Sequence, residues 1–328
     1  MKIAVTGANG HVGANLCRSL IAEGHQVRAL VHNNSYALKG LNIELVQGSL
    51  RNPDSLRELC KGAEIVFHLA AMISIDGQKD KLLEVNVDGT RNLIKVIKEN
   101  GVRRLIHFSS IHALSHYPYN EPMDETRPLV TEGPTWYEIT KSKAEQMVLE
   151  ATTSGLDAVV INPTAIVGPN DFKPSLVGTV LIRLYKNSLP ALVPGGYDWV
   201  DVRDVVKGAI SAMESGKKGE RYILSGKWIS VKELALLVEK VTGNHVTKLM
   251  IPTAVAKIGV PFIKAYAKIA GQEPLYTFES LRTLREVNTM ISHSKAQMEL
   301  GYNPRNFEIT VRDTMEWFKI QGYLKKNN

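Results

Sequence analysis

Thr6-Gly7-Ala8-Asn9-Gly10-His11-Val12-Gly13 decides how the rest of the chain is read. It follows an apolar run, Lys2-Ile3-Ala4-Val5, and precedes an amphipathic stretch, so the three glycines sit at a strand-to-helix turn. At such a turn the first glycine permits a sharp reversal, the second lets the backbone approach a pyrophosphate, and the third lets the helix press on the strand. The start of the helix then offers amides and the positive end of its dipole to phosphate. Gly7, Asn9, Gly10, His11 and Val12 are therefore candidate dinucleotide-binding residues.

Working outward, short β-branched runs at 3–6, 27–31, 43–47, 65–69, 105–108 and 158–161 alternate with helical stretches at 12–23, 54–61 (Asp54 as N-cap), 79–100 and 135–153. That alternation predicts an α/β fold, a Rossmann-type doubly wound parallel sheet over 1–162. Residues 163–328 read as a smaller mixed α/β C-terminal substrate-binding region, with 200–216 returning to the first domain. In it Gly and Pro punctuate the chain, a helix covers 203–213, Tyr222-Ile223-Leu224 reads as a lone strand, and Ser230-Val231-Lys232-Glu233 is a capping box for a helix ending at Gly243. Residues 254–270 are apolar with Lys257, Lys264 and Lys268 interspersed, a lid or an interfacial helix that Pro261 should kink or break.

With 328 residues, 44% of them hydrophobic, the chain can bury a large core. The net charge of +7 is scattered rather than gathered in a basic block, which argues against nucleic acid and fits attraction for an anionic cofactor. Two cysteines, Cys17 and Cys60, are too few for a disulfide framework. They fit a reducing cytoplasm, as does a strand beginning at Lys2 with no room for a signal peptide before it. No run of about 18 apolar residues marks a membrane span, and no metal ion is expected.

A second constellation lies at Tyr137-Glu138-Ile139-Thr140-Lys141. One helical turn apart, Tyr137 and Lys141 share a face, and an ammonium there would favour the tyrosinate and make the phenol a usable acid. Ser109-Ser110 follow the fifth strand. Neighbours on an extended segment point oppositely, so only one of them faces a substrate oxygen.

Taken in register, these motifs resemble the extended short-chain dehydrogenase/reductases, the NAD-dependent epimerase/dehydratase family. The likeness runs through Leu69-Ala70-Ala71, Asn86-Val87-Asp88-Gly89-Thr90, Asn162-Pro163-Thr164, Gly168-Pro169 and Leu300-Gly301-Tyr302, nearly the whole chain. Trp199-Val200-Asp201-Val202-Arg203-Asp204 and Arg221-Tyr222-Ile223-Leu224 are most similar to dihydroflavonol-4-reductase-like and 3β-hydroxysteroid dehydrogenase-like members. The resemblance implies an NAD(P)-dependent oxidoreductase with Ser110, Tyr137 and Lys141 as its catalytic triad. Lys141 would also hold the nicotinamide ribose. It adds Ser49, Leu50, Leu69, Ala70, Ala71, Asn86, Ser109, Asn162, Pro163 and Thr164 to the cofactor contacts, with Asn86 either structural or catalytic.

Cofactor choice turns on the end of the second strand, where no acid stands to bond the ribose of NAD. His32, Asn33 and Asn34, with Lys39 near, offer donors for a phosphate, and NADP(H) is expected over NAD(H), although NADP-preferring members carry Arg where His32 stands. Ser49-Leu50 stands where Asp-Leu is common. Met72, Ile73, His112, Trp136, Thr164, Tyr197 and Trp199 are expected near the substrate, His112 as a second acid or as a packing group. Nucleotide-sugar members place an Arg where Tyr197 stands, so a ketone or aldehyde without a diphosphate is the leading expectation. An NAD-retaining nucleotide-sugar epimerase or dehydratase is the second, and a non-enzymatic dinucleotide sensor the third. A homodimer across the helices at 79–100 and 135–153 is implied by the resemblance.

Overall fold

Runs of Val, Ile and Leu bounded by Gly, Asn and Asp become strands because a sheet covered on both faces leaves no polar side for them to show. The computed structural model describes residues 1–73, 78–133, 135–269, 277–284 and 288–325, without the side chains at 262–269, 279, 280 and 283. Seven strands make one parallel sheet: β1 (Lys2–Thr6), β2 (Gln26–Val31), β3 (Glu44–Gln47), β4 (Ile65–His68), β5 (Arg104–Phe108), β6 (Ala158–Pro163) and β9 (Arg221–Leu224). Their order is β3-β2-β1-β4-β5-β6-β9. The chain order reverses between β1 and β4, and at such a point the crevice outside the carboxyl ends of the strands opens for a ligand.

On one face lie α1 (His11–Ala22), α7 (Val202–Ser215) and α11 (Ser294–Leu300), burying Leu16, Cys17, Leu20, Val205, Ala209 and Ala296 against the sheet. On the other lie α2 (Pro53–Cys60), α4 (Gly89–Glu99) and α5 (Trp136–Thr153), burying Leu56, Leu59, Leu93, Ile97 and Val148. Full burial of each such side chain contributes roughly 1.5–3 kcal/mol. A short helix α3 (Lys79–Leu82) and a π-helical turn, Leu83–Asp88, lead into α4. Both cysteines are free and buried.

A second sheet joins β7 (Ala165–Val167), β8 (Gly196–Asp201) and β10 (Lys227–Ser230), with β8 between its parallel neighbour β7 and its antiparallel neighbour β10. Around it stand α6 (Leu176–Tyr185), α8 (Val231–Thr242) and α12 (Phe307–Ile320), closing a third core on Leu181, Leu184, Leu234, Val238, Val311 and Phe318. The remaining helices are α9 (Thr253–Ile269) and α10 (Phe278–Thr283). No described helix is long and apolar enough to cross a membrane.

Local signals explain most ends. Ser230 and Glu233 form the capping box of α8, and Gly243 closes it at φ 71°. Three expectations need correction. The N-cap of α2 is Asn52, whose side chain accepts from the Asp54 amide, while Pro53 takes the first helical position where its missing N–H costs nothing. The strand at Tyr222 is not alone, since β9 extends the main sheet beyond β6. Nor does Pro261 end α9, which runs on to Ile269; before the proline, Ala256 and Val260 are buried against Val193, Leu281 and Leu284. Lys257 of α9 is exposed; Lys264, Lys268 and Ala270 lie outside the described side chains.

Candidate active site

Parallel register brings the carboxyl ends of β1, β4, β5 and β6 side by side: Thr6 pairs with His68, His68 with His107, Phe108 with Ile161. The loops after them are the glycine turn, 69–73, 109–113 and Thr164. In the turn Gly7 has φ 71°, and a Cβ there would stand 2.6 Å from the Ala70 nitrogen. Leu69-Ala70 is thus the wall against which the turn closes, and the Ala70 amide donates to Thr6 Oγ1 at 3.2 Å. A Cβ on Gly13 would be 2.2 Å from the Gly7 carbonyl oxygen, so helix and turn touch there. Gly10 is exposed and caps α1 with no side-chain hydrogen bond, leaving the first turn of the helix open to a ligand. This cradle fits a pyrophosphate. Asn9 and His11 contribute otherwise than by side chain: Asn9 Oδ1 accepts from the Ala37 amide at 3.0 Å, and His11 Nε2 lies 3.1 Å from the Pro169 oxygen.

After β5, Ser110 caps a short turn at Ile111–Ala113, its Oγ accepting from the His112 amide at 3.2 Å. The same hydroxyl lies close enough to the Tyr137 phenol to oppose the rise in its pKa that burial causes. Ser109 points the other way, toward Glu145. The alternation on an extended segment therefore separates the two serines as the sequence suggests. Lys141 is buried and donates to the Phe108 carbonyl at 2.6 Å, so its ammonium is anchored at the tip of β5. Desolvation lowers its pKa to about 8, with Glu145 acting against the fall. The phenol, expected to be pulled down by that ammonium, is instead pushed up: burial comes first, then Ser110 lowers and Glu138 raises.

A family model described as the NAD dependent epimerase/dehydratase family matches residues 3–225. The chain belongs to that family. Over 330 residues it is 36% identical to "Sterol demethylase protein B" of Methylococcus capsulatus, covering 99% of this chain and 100% of the relative. It is 33% identical to "Putative dihydroflavonol 4-reductase" of Synechocystis, covering 98% and 95%. The crystal structure of gox2253 superposes with TM-score 0.85 at 34% identity, covering 99% of both chains. As a member of the epimerase/dehydratase family, the protein is an enzyme of the nicotinamide-dependent oxidoreductase kind, acting on a small molecule.

The remaining expected residues divide into those that line the crevice and those spent on the frame. At the end of β2, His32, Asn33 and Lys39 are exposed; the His32 carbonyl accepts from the Gln47 side chain, and Asn34 Oδ1 takes the Tyr36 amide at 2.6 Å. Ser49 pairs its amide with Ser55, while Leu50 is buried under α4, where a Cβ on Gly89 would meet it at 2.8 Å. Asn86 is buried, accepts from the Met72 amide at 2.7 Å and donates to Thr140 Oγ1 at 3.1 Å, fastening the loop after β4 to α5. That is a frame role. Thr164 donates to Asp198 at 2.7 Å, and Asn162 and Pro163 lie inside β6.

On the substrate side, Ile73 is 66% exposed and Met72 and Ala71 are half-buried. Burial lowers the His112 pKa to about 4, and its ring lies 5.4 Å from that of His116. Trp136 carries the Lys79 ammonium over its ring at 4.4 Å. Tyr197 is half-buried beside Trp199. Trp199 does not line the crevice: it is 4% exposed, donates to the Ile229 carbonyl and stacks on Phe307 in the third core. Reading the sequence did not single out Glu145 and Arg221, a buried carboxylate and the guanidinium 3.4 Å from it. The signal was present, an acid one turn beyond Lys141 on the same helix face. Among the described residues no cluster of three or more His, Cys, Asp or Glu is placed to hold a metal ion.

Proposed function

We propose that this enzyme is an NADP(H)-preferring reductase of an apolar ketone or aldehyde, with residues 1–162 holding the dinucleotide and 163–328, apart from α7, mainly receiving the substrate. The approach of Ser110 to the Tyr137 phenol, beside a glycine turn whose helix start has no side-chain cap, carries the reading. When bound, the dinucleotide supplies a hydride to the carbonyl carbon. Tyr137 gives its phenolic proton to the carbonyl oxygen, and Ser110 holds that oxygen as charge develops on it. Lys141 places a cation next to the tyrosine helix turn, where it holds the nicotinamide ribose and offsets the tyrosinate left behind. Ile73 and Met72 give one wall an apolar face, Tyr197 stands where a diphosphate grip would need a cation, and a relative bears a reductase name.

Calorimetric titration of the purified protein is expected to show NADPH binding more tightly than NADH, because exposed His32 and Asn33 offer donors where no acid repels a 2′-phosphate. NAD carried through purification would move the reading to a nucleotide-sugar epimerase or dehydratase, and binding of neither dinucleotide would sink it. A homodimer across α4 and α5 belongs to the same proposal. Sedimentation at micromolar concentration is expected to give twice the chain mass, and a monomer would remove it.

A further inference from the structure

Glu145 occupies a place that the reaction above does not explain. It lies one turn beyond Lys141 on α5, fully buried. A carboxylate there is costly unless donors surround it. Donors come from three strand ends, of which one is hydrogen-bonded to Oε2, while Oε1 and Ser109 Oγ make no hydrogen bond. Asn162 Nδ2, from β6, donates to Glu145 Oε2 at 2.7 Å; Arg221 Nε, from β9, lies 3.4 Å from Oε1; and Ser109, just past β5, stands beside the carboxylate. The Glu145 pKa stands raised: burial lifts it, and Ser109, Arg221, Asn162 and Lys141 pull it only part of the way back.

Of these donors, Asn162 leads on to the crevice. The same Asn162 amide donates to the Ser110 carbonyl oxygen at 3.1 Å, so one side chain separates Glu145 from the backbone of Ser110. Arg221 donates to the Arg127 carbonyl, and Arg127 holds the carbonyls of Tyr117, Pro118, Glu121 and Pro122. Lys141, for its part, is faced by His68 from β4 and His107 from β5, both kept neutral by burial and by Lys141 itself. On its own helix Glu145 is the anion that acts on it, and Arg221 lies beyond that carboxylate.

We infer that Glu145 is a positioning residue of this active site, fixing the Ser110 backbone through Asn162 and supplying the negative charge that keeps Lys141 an ammonium. The inference rests on the reductase reading only in that Ser110 and Lys141 are the groups it serves. Glu145→Gln keeps the shape and removes the charge. Glu145→Asp keeps the charge and shortens the reach, and Asn162→Ala cuts the link to Ser110 while leaving the charge.

The Nζ signal of Lys141 in lysine-labelled protein, assigned by its loss in Lys141→Arg, gives its titration directly. The wild type is expected to titrate near pH 8, Glu145→Gln about one pH unit lower, and Glu145→Asp with the wild type. The alkaline limb of kcat should follow the same order, since activity that needs the ammonium is lost as pH rises through the Lys141 pKa. Asn162→Ala is expected to lose kcat about tenfold with the Lys141 titration moved less than in Glu145→Gln. An unshifted Lys141 in folded Glu145→Gln, or full kcat in Asn162→Ala, overturns the inference; should Glu145→Gln not fold, Asn162→Ala and Glu145→Asp decide it. A shifted Lys141 in a protein that reduces no carbonyl would leave this inference standing and end the reductase reading, and an unshifted Lys141 in an active reductase would do the reverse.

Discussion

A Tyr137→Phe variant is expected to bind NADPH as the wild type does and to reduce its carbonyl substrate about a thousandfold more slowly. A positioned proton donor contributes roughly 10²–10⁴ in rate, and the phenol has that position. Phenylalanine keeps the ring that packs at the start of α5 and removes the hydroxyl facing Ser110, whose Oγ still accepts from the His112 amide, so folding should be unaffected. Burial raises the phenol pKa, so Tyr137 stays protonated through the neutral range and is ready to give its proton. The same shift opposes the reverse reaction, which needs the tyrosinate, and oxidation of the alcohol should speed up as pH rises until Lys141 loses its proton near pH 8. The measurement is loss of NADPH absorbance against pH, with Kd and Tm for both proteins. An undiminished kcat in Tyr137→Phe would show that another group supplies the proton.

How much of this was legible in the sequence depends on the range over which each feature is determined. The six strands of the first half and the turn at Gly7, Gly10 and Gly13 are local patterns, and they fall where periodicity and glycine spacing put them. The cap of α2 moved two residues because Asn52-Pro53-Asp54 holds two acceptable caps, and Pro53 at the first helical position selects the earlier one. Where partners are distant, the sequence was silent. Nothing in Arg221-Tyr222-Ile223-Leu224 says that its neighbour is β6, some sixty residues back, and β9 read as solitary. Trp199 looked like a pocket aromatic until Phe307 and Ile229 closed over it. Glu145 is the clearest case. A glutamate on a helix is ordinarily a solvated residue, and only the folded chain brings Asn162 and Arg221 from two strands to this buried one.

The glycine turn yields a pair of substitutions with opposite effects. Gly→Ala inside a helix ordinarily stabilises by up to about 1 kcal/mol. At Gly13 the sign should reverse, because the added Cβ would stand 2.2 Å from the Gly7 carbonyl oxygen and 2.7 Å from the Ala8 Cα, both backbone atoms that cannot step aside. Prising α1 off the turn is expected to cost about 3 kcal/mol, the upper range for overpacking, and to lower Tm by several degrees. Gly10 is the converse. Its φ of −80° suits alanine, and a Cβ there would meet only the Gly7 carbonyl oxygen, at 3.3 Å. Gly10→Ala should therefore leave Tm within about one degree of wild type. Its methyl group, however, stands at the open start of α1, on the approach a pyrophosphate must take to the helix amides. NADPH binding is expected to weaken on the order of a hundredfold, the scale of losing two charge-assisted hydrogen bonds. Thermal melts and calorimetric Kd values on the two variants separate a glycine needed for folding from one needed for the ligand. Wild-type affinity in a folded Gly10→Ala would mean that the dinucleotide does not lie across this turn.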